Sequence, residues 1–172
     1  MLVDASTRAA VAWTGPVAVL CACTLSICTQ RIWRRVLGEV TCRWRLPYDL
    51  DGAAFSIWIP IYTLTYASVL AQLLALAWPD FFVVLDFNTN LGTASTWVHC
   101  ACWVIFFDGE TPKALWAAGA ILSGGAATGV AALFTSHAWW EERQLAAVLT
   151  TAPLALLTGW LLNATIIAWG TA

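Results

Sequence analysis

The feature that most constrains this chain is a series of five long segments without a charged residue. They extend approximately over residues 9–29, 52–78, 91–107, 115–134 and 145–170. A helix crosses the roughly 30 Å hydrocarbon core of a bilayer with about 20 apolar residues, because each residue adds about 1.5 Å. We therefore expect five membrane-spanning helices, and the short connections leave no room for a soluble domain. The prediction is an all-α integral membrane protein, with one five-helix bundle over residues 1–172.

Composition agrees with a membrane location. Sixty per cent of the 172 residues are hydrophobic, 10% are charged and the mean hydropathy is +0.75, whereas soluble domains are typically about 45–50% apolar and about 25% charged. Arg8 precedes the first segment in the manner of a signal peptide, but residues 9–29 are longer than the roughly 7–15 residues of a signal-peptide core. We interpret the segment as a retained span.

Basic residues are concentrated in the first connection. It contains Arg31, Arg34, Arg35, Arg43 and Arg45. With five spans, Lys113 falls on the same side of the membrane, whereas Arg8 and Arg143 fall on the opposite side. By the positive-inside rule this distribution predicts an outer N-terminus and an inner C-terminus. The arginines are either a topology determinant alone or also a contact for anionic lipid headgroups or a partner's acidic surface.

No pattern in the sequence is typical of a catalytic centre or a metal site. There is no nucleophile elbow, P-loop, dinucleotide-binding fingerprint or HExxH motif. Cys21 and Cys23, like Cys100 and Cys102, are two residues apart, so on a helix their side chains point about 200° away from each other. His99 lies within a predicted span, where an ionisable residue is a candidate for a functional role. The preferred alternative is a structural role, in which its neutral imidazole is hydrogen-bonded to a neighbouring helix. We expect neither an enzyme, nor a metal site, nor a nucleic-acid partner.

The chain contains twelve tryptophans, and eight of them fall into two groups. One group lies at the ends of the predicted spans, as in interfacial aromatic belts: Trp78, Trp139, Trp140 and Trp169. The other group lies inside the spans: Trp58, Trp97, Trp103 and Trp160. Large rings inside a helical bundle either fill its core or line a cavity for a flat apolar ligand, and the pattern leaves both alternatives open.

Two further features concern helix geometry. Pro60 is expected to bend the second helix beside Trp58, because the carbonyl of Ser56 would lose its hydrogen-bond donor. Gly125 and Gly129 form a GxxxG pair in the fourth segment, which predicts a close approach of two helix backbones. There are three alternatives for that contact: it lies within the chain, between two protomers, or between the chain and another subunit.

Three stretches of sequence carry a family resemblance. They are AAFSIWIPIY at 53–62, followed by Gln72, CACWVIFF at 100–107, and APLALLTGWLLNATIIAW at 152–169. In order and spacing they resemble the second, third and fifth helices of the tryptophan-rich sensory protein, or translocator protein, family, especially its plant, algal and cyanobacterial-like branch. The resemblance covers roughly residues 45–170 and implies a translocator-protein-like bundle of five transmembrane helices, often dimeric.

The family resemblance also implies a binding site. Its members bind porphyrins or sterols in an aromatic-lined cavity beneath the connection between helices one and two. Carried over to this sequence, the cavity residues are Phe55, Trp58, Tyr62, Trp103 and Trp160. A reversed sterol-recognition pattern adds Tyr48. The sequence departs from the family where Cys100 and Ala168 replace asparagines and where a proline before the second-helix motif is absent, so the site has fewer polar groups.

Two functions from different classes follow as expectations. The first is a non-enzymatic protein that binds a flat hydrophobic ligand, namely a porphyrin, a sterol-like molecule or a bound lipid, as a monomer or homodimer. The second is an accessory structural subunit of a large organellar membrane complex, for example a respiratory complex. Both have membrane lipids as partners. An organellar membrane is the expected location, mitochondrial before plastid, with a bacterial inner membrane as the other alternative.

Overall fold

The computed structural model describes residues 5–32, 56–75, 77–78, 85–107, 111–136 and 144–171. Within these residues all regular structure is helical. The five helices are α1 (Ala5–Ile32), α2 (Trp58–Ala75), α3 (Phe87–Phe106), α4 (Pro112–Ser136) and α5 (Gln144–Thr171). Each overlaps one of the five uncharged segments, so the prediction of a helical fold is confirmed for the part of the chain that the structure describes.

Four stretches within these helices are long and apolar enough to cross a membrane. They are Ala12–Ile32, Trp58–Ala75, Lys113–Ser136 and Thr151–Gly170. The chain therefore has the helices of a multi-pass membrane protein. The predicted third span is different, because α3 has 20 residues but is not among the four apolar stretches.

The helices form a closed ring in the order α1, α2, α5, α4, α3, with α3 returning to α1. The hydrophobic core lies inside this ring and takes residues from every helix. Its most enclosed members include Cys23 of α1, Ile61 of α2, Trp97 of α3, Leu122 of α4 and Leu157 of α5. A site inside the ring is therefore built from several helices rather than from one connection.

The composition of α3 has a structural explanation. Nine of its residues are buried, among them Thr89, Asn90, Thr93 and Thr96. The threonine hydroxyl groups are bonded inside the protein: Thr93 donates to the carbonyl of Thr89 at 2.7 Å, and Thr96 Oγ1 lies 3.1 Å from Thr128 Oγ1 of α4. A helix whose polar side chains bond to itself and to its neighbours tolerates a lower hydropathy than one surrounded by lipid.

Pro60 starts a helix rather than bending one. The helix α2 begins at Trp58, so Pro60 lies in its first turn, where backbone N–H groups have no acceptor within the helix. The expected bend beside Trp58 is therefore wrong, since proline at this position interrupts no hydrogen bond. Among the described helices, the interior prolines are Pro16 of α1 and Pro153 of α5.

The glycines of α4 lie against other helices of the same chain. A Cβ atom at Gly125 would be 2.9 Å from His99 Cβ of α3, and a Cβ atom at Gly129 would collide with the side chain of Thr158 on α5. A Cβ separation below 3.0 Å does not occur in real packing, so both positions need glycine for the helices to approach this closely. The GxxxG pair thus lies at contacts within the bundle.

Candidate ligand-binding site

Four aromatic side chains from three helices meet inside the ring: Trp58 and Tyr62 of α2, Trp97 of α3 and Trp160 of α5. We call these four residues the aromatic cluster. Tyr62 stacks on Trp97 with ring centroids 4.9 Å apart and on Trp58 at 5.6 Å. Trp58 meets Trp160 edge to face at 5.9 Å and Trp97 at 6.4 Å. These separations are in the favourable range for aromatic pairs.

The positions of these residues along the helices explain the cluster. Trp58 and Tyr62 are four residues apart, so both rings lie on one face of α2. That face also carries Thr65 and Val69, which are buried. Trp97 is fully buried, with 0% of its surface exposed, whereas Trp58, Tyr62 and Trp160 are half-buried. The cluster therefore has an enclosed centre and a partly accessible margin.

Two indole N–H groups on α3 have no hydrogen-bond partner. They belong to Trp97 and Trp103, and both nitrogens are buried. A buried donor left without an acceptor costs about 1–3 kcal/mol, because its bond to water is lost and not replaced. Buried tryptophan N–H groups usually have a partner, so these two atoms are unusual features of the site.

The predicted cavity residues are brought together only in part. Trp58, Tyr62 and Trp160 meet in the aromatic cluster, whereas Trp103 packs edge to face on Phe107 with ring centroids 5.0 Å apart. Trp103 lies six positions after Trp97, so the two rings leave α3 about 120° apart. Trp97, which the family motif did not mark, takes the central position. Its spacing with buried Cys100 and Val104, at i+3 and i+7, is the sequence signal that would have identified it.

Hydroxyl groups attach α2 to α1 beside the cluster. Tyr62 Oη lies 3.1 Å from Ser26 Oγ, and Gln30 Nε2 donates to the same Ser26 oxygen at 3.3 Å. One turn further along α2, Tyr66 Oη lies 3.0 Å from Thr24 Oγ1. The side chain of Tyr62 is therefore held in two ways: its hydroxyl group contacts Ser26 of α1, and its ring face stacks on Trp97 of α3.

A second polar group lies at the far end of α2, away from the cluster. Gln72 Oε1 accepts hydrogen bonds from the backbone N–H of Leu85 at 3.2 Å and from Asn90 Nδ2 at 2.9 Å. Asn90 Nδ2 also donates to the Leu85 carbonyl at 3.1 Å, and Gly15 of α1 lies directly against the Asn90 side chain. Gln72, part of the family resemblance, thus joins the end of α2 to the start of α3.

His99 bonds to its own helix rather than to a neighbouring one. Its Nδ1 lies 2.8 Å from the carbonyl oxygen of Ser95. Because a carbonyl oxygen only accepts, Nδ1 carries the proton. The ring packs against Gly124 and Gly125 of α4, so the expected bond between helices is replaced by van der Waals contact. Within the described segments, no three metal-binding side chains converge.

Several predicted positions lie outside the described residues. They are Tyr48 and Phe55 of the expected cavity, and Arg34, Arg35, Arg43 and Arg45 of the basic connection. Arg31 is described and lies exposed in the last turn of α1. Trp58 lies in the first turn of α2, so the aromatic cluster approaches the end of the bundle that the basic connection joins.

Compared with protein-family models, with curated proteins and with solved structures, the chain matches none of them. Its function is therefore inferred from the geometry of the bundle and from the residues that form it.

Proposed function

We propose that this chain is a non-enzymatic multi-pass membrane protein that binds a flat apolar ligand, of the tetrapyrrole or sterol class, against its aromatic cluster. The observation that carries the proposal is that the half-buried rings of Trp58 and Tyr62 both contact the buried ring of Trp97, and that Trp160 packs edge to face on Trp58. Aromatic faces gathered from three helices are the kind of surface on which planar ligands stack.

The proposal includes a translocator-protein-like topology in which all five helices cross the membrane. The buried polar face of α3 supports this, since Thr89, Asn90 and Thr96 are enclosed by protein and not by lipid. In this topology the cluster lies toward the side of the membrane that carries the first connection, and Arg31, in the last turn of α1, lies on the same side. A ligand with anionic substituents would find the complementary charge on that side.

Titration with protoporphyrin IX tests the binding function. The detergent-solubilised full chain is expected to shift the porphyrin absorption band in a saturable way. Trp58→Ala and Trp160→Ala should each weaken binding by about 1–3 kcal/mol, because each removes a stacking face. Absorption of the porphyrin is preferable to tryptophan quenching, since twelve tryptophans would all contribute to the quenching signal.

Trp116→Phe is the matched control. Trp116 is 54% exposed and meets Trp169 edge to face at 4.9 Å, so it belongs to a separate aromatic pair. Its substitution should leave porphyrin affinity unchanged. Equal affinities in the wild type, both alanine variants and this control would remove the cluster from any binding site, and the absence of saturation would refute the proposed function.

A second candidate function is that of an accessory structural subunit in a larger membrane complex. The observation that favours it is that the cluster rings contact one another, so the chain fills the centre of its own bundle. Extraction in mild detergent, native electrophoresis and mass spectrometry distinguish the two functions. Migration with a large complex supports the structural function, whereas a species of one or two chains supports ligand binding.

A further inference from the structure

We infer that Trp97 Nε1 donates a hydrogen bond to a neutral acceptor oxygen of the bound ligand, so that the site prefers a planar ring ligand with a carbonyl or hydroxyl group over the bare hydrocarbon. This inference rests on the proposed ligand-binding function. In this inference Trp97, a residue outside the family motif, selects the chemical class of the ligand.

The first step is the fixed position of the donor. Trp97 has 0% of its surface exposed, and its Nε1 has no acceptor. Its ring is stacked on Tyr62 with the two planes inclined by 23°, and Trp58 packs against it at 6.4 Å. An indole held in this way cannot turn to find another acceptor without breaking the stack. The Tyr62 hydroxyl is already engaged with Ser26.

The second step is the charge of the acceptor. Among the described residues, the buried polar side chains are serine, threonine, asparagine and glutamine, with no Asp, Glu, Lys or Arg. An ionised carboxylate placed beside Trp97 would have no cation to pair with and would lose its hydration, which costs several kcal/mol. A ketone or hydroxyl oxygen satisfies the N–H at a much smaller desolvation cost. The acceptor is therefore neutral.

The third step is access. Trp58 and Trp160 are half-buried and meet edge to face at 5.9 Å on the partly accessible side of the cluster. Trp58 also lies in the first turn of α2, where backbone hydrogen bonds are fewest. A ligand reaches Trp97 when the ring of Trp58 moves aside, and the ring of the ligand then replaces the aromatic contact that Trp58 made with Trp97.

The test compares 9-fluorenone with fluorene, two planar tricyclic molecules that differ by one carbonyl oxygen. The wild-type chain should bind fluorenone about 5- to 10-fold more tightly, the effect of one neutral hydrogen bond. Trp97→Phe keeps an aromatic ring but removes the N–H. It should bind both molecules with the affinity that the wild type has for fluorene, while Trp116→Phe should keep the wild-type preference.

Two spectroscopic measurements report the bond itself. The carbonyl stretch of bound fluorenone should lie at lower frequency in the wild type than in Trp97→Phe. In ¹⁵N-labelled wild-type protein, one indole N–H proton resonance should move downfield on addition of fluorenone, as a new hydrogen bond requires, and should not move downfield with fluorene. The second measurement needs no variant, so it remains decisive if Trp97→Phe fails to fold.

The outcomes separate this inference from the proposed function. Equal wild-type affinities for fluorenone and fluorene would overturn the inference and leave ligand binding intact. Binding of protoporphyrin without binding of either small probe would overturn it as well, because the site would then not accept a neutral ketone. If neither the porphyrin nor the probes bind, the proposed function fails and the inference fails with it.

Discussion

The indole of Trp97 and the phenol ring of Tyr62 lie stacked, with centroids 4.9 Å apart and planes inclined by 23°. The first belongs to α3 and the second to α2. Since the Tyr62 hydroxyl also lies 3.1 Å from Ser26 Oγ of α1, one side chain connects three helices of the ring. Stability should therefore respond to Tyr62 in two separable ways, through its ring and through its hydroxyl.

Tyr62→Phe keeps the stack and removes the hydroxyl bond, so it should lower the free energy of unfolding by about 1 kcal/mol. Tyr62→Ala also removes the ring and should cost about 3–5 kcal/mol. Unfolding in mixed detergent micelles, followed by circular dichroism, measures both. Tyr66→Phe is the control, because Thr24, which Tyr66 contacts, keeps its own hydrogen bond to the Leu20 carbonyl, so the loss should cost less. Equal effects of Tyr62→Phe and Tyr62→Ala would show that the stack contributes nothing.

The approach of α4 and α5 predicts a difference between two glycines. Gly129→Ala should destabilise the protein, because the new methyl group would collide with Thr158. Gly159→Ala should be neutral or stabilising by up to about 1 kcal/mol, because a Cβ there has open space and alanine favours the helix. Thermal unfolding of both variants tests this. Thr158→Ala should partly restore stability to Gly129→Ala, and the absence of any rescue would contradict the packing described.

The hydrogen bonds of Gln72 predict a large effect from a single amide. Gln72→Leu leaves the backbone N–H of Leu85 without its side-chain acceptor inside the bundle, so it should cost about 1–3 kcal/mol. Asn163→Leu is the matched control. Asn163 is exposed and donates only to Gly159 of its own helix, so its loss should stay within about 0.5 kcal/mol. Similar unfolding transitions for the two variants would contradict a structural role for Gln72.

Whether α3 crosses the membrane can be determined by measuring on which side of the membrane each of three exposed positions lies. Cysteines introduced at Arg31, Trp78 and Thr111, in a chain whose six native cysteines are replaced by alanine, report this with a membrane-impermeant thiol reagent. With five spans, Arg31→Cys and Thr111→Cys react from the same side and Trp78→Cys from the other. If Thr111→Cys reacts from the same side of the membrane as Trp78→Cys, α3 does not cross and the proposed topology is wrong.

The helices were the predictable part of the fold, because an uncharged segment of membrane length has few alternatives to a helix. The start of α2 was not predictable from the same rule. The apolar run begins before Trp58, and only the position of Pro60 in the first turn shows where the helix begins. Hydropathy therefore located the helix but not the residue at which it starts, since proline is compatible with a first turn as well as with a bend.

The site was predictable in its residue type and not in its centre. The motif with Trp58 and Tyr62 identified an aromatic face from helical spacing alone. Trp97 and Trp103 are both tryptophans of α3, and the family pattern selected Trp103, although it is Trp97 that contacts Trp58 and Tyr62. That choice depends on how α3 is rotated about its axis against its neighbours. The rotation follows from packing with α1 and α4, which one sequence does not contain.

The low hydropathy of α3 bears on how the chain enters a bilayer during synthesis. In the five-span topology, transfer of α3 by itself from water into lipid is only weakly favourable in free energy, because transfer of its asparagine and threonine side chains into lipid is unfavourable. The partners that satisfy them come partly from later in the chain: Thr135 for Thr89 and Thr128 for Thr96, both on α4. The insertion machinery would therefore have to hold α3 until α4 has emerged, and the two helices would enter together as a hairpin.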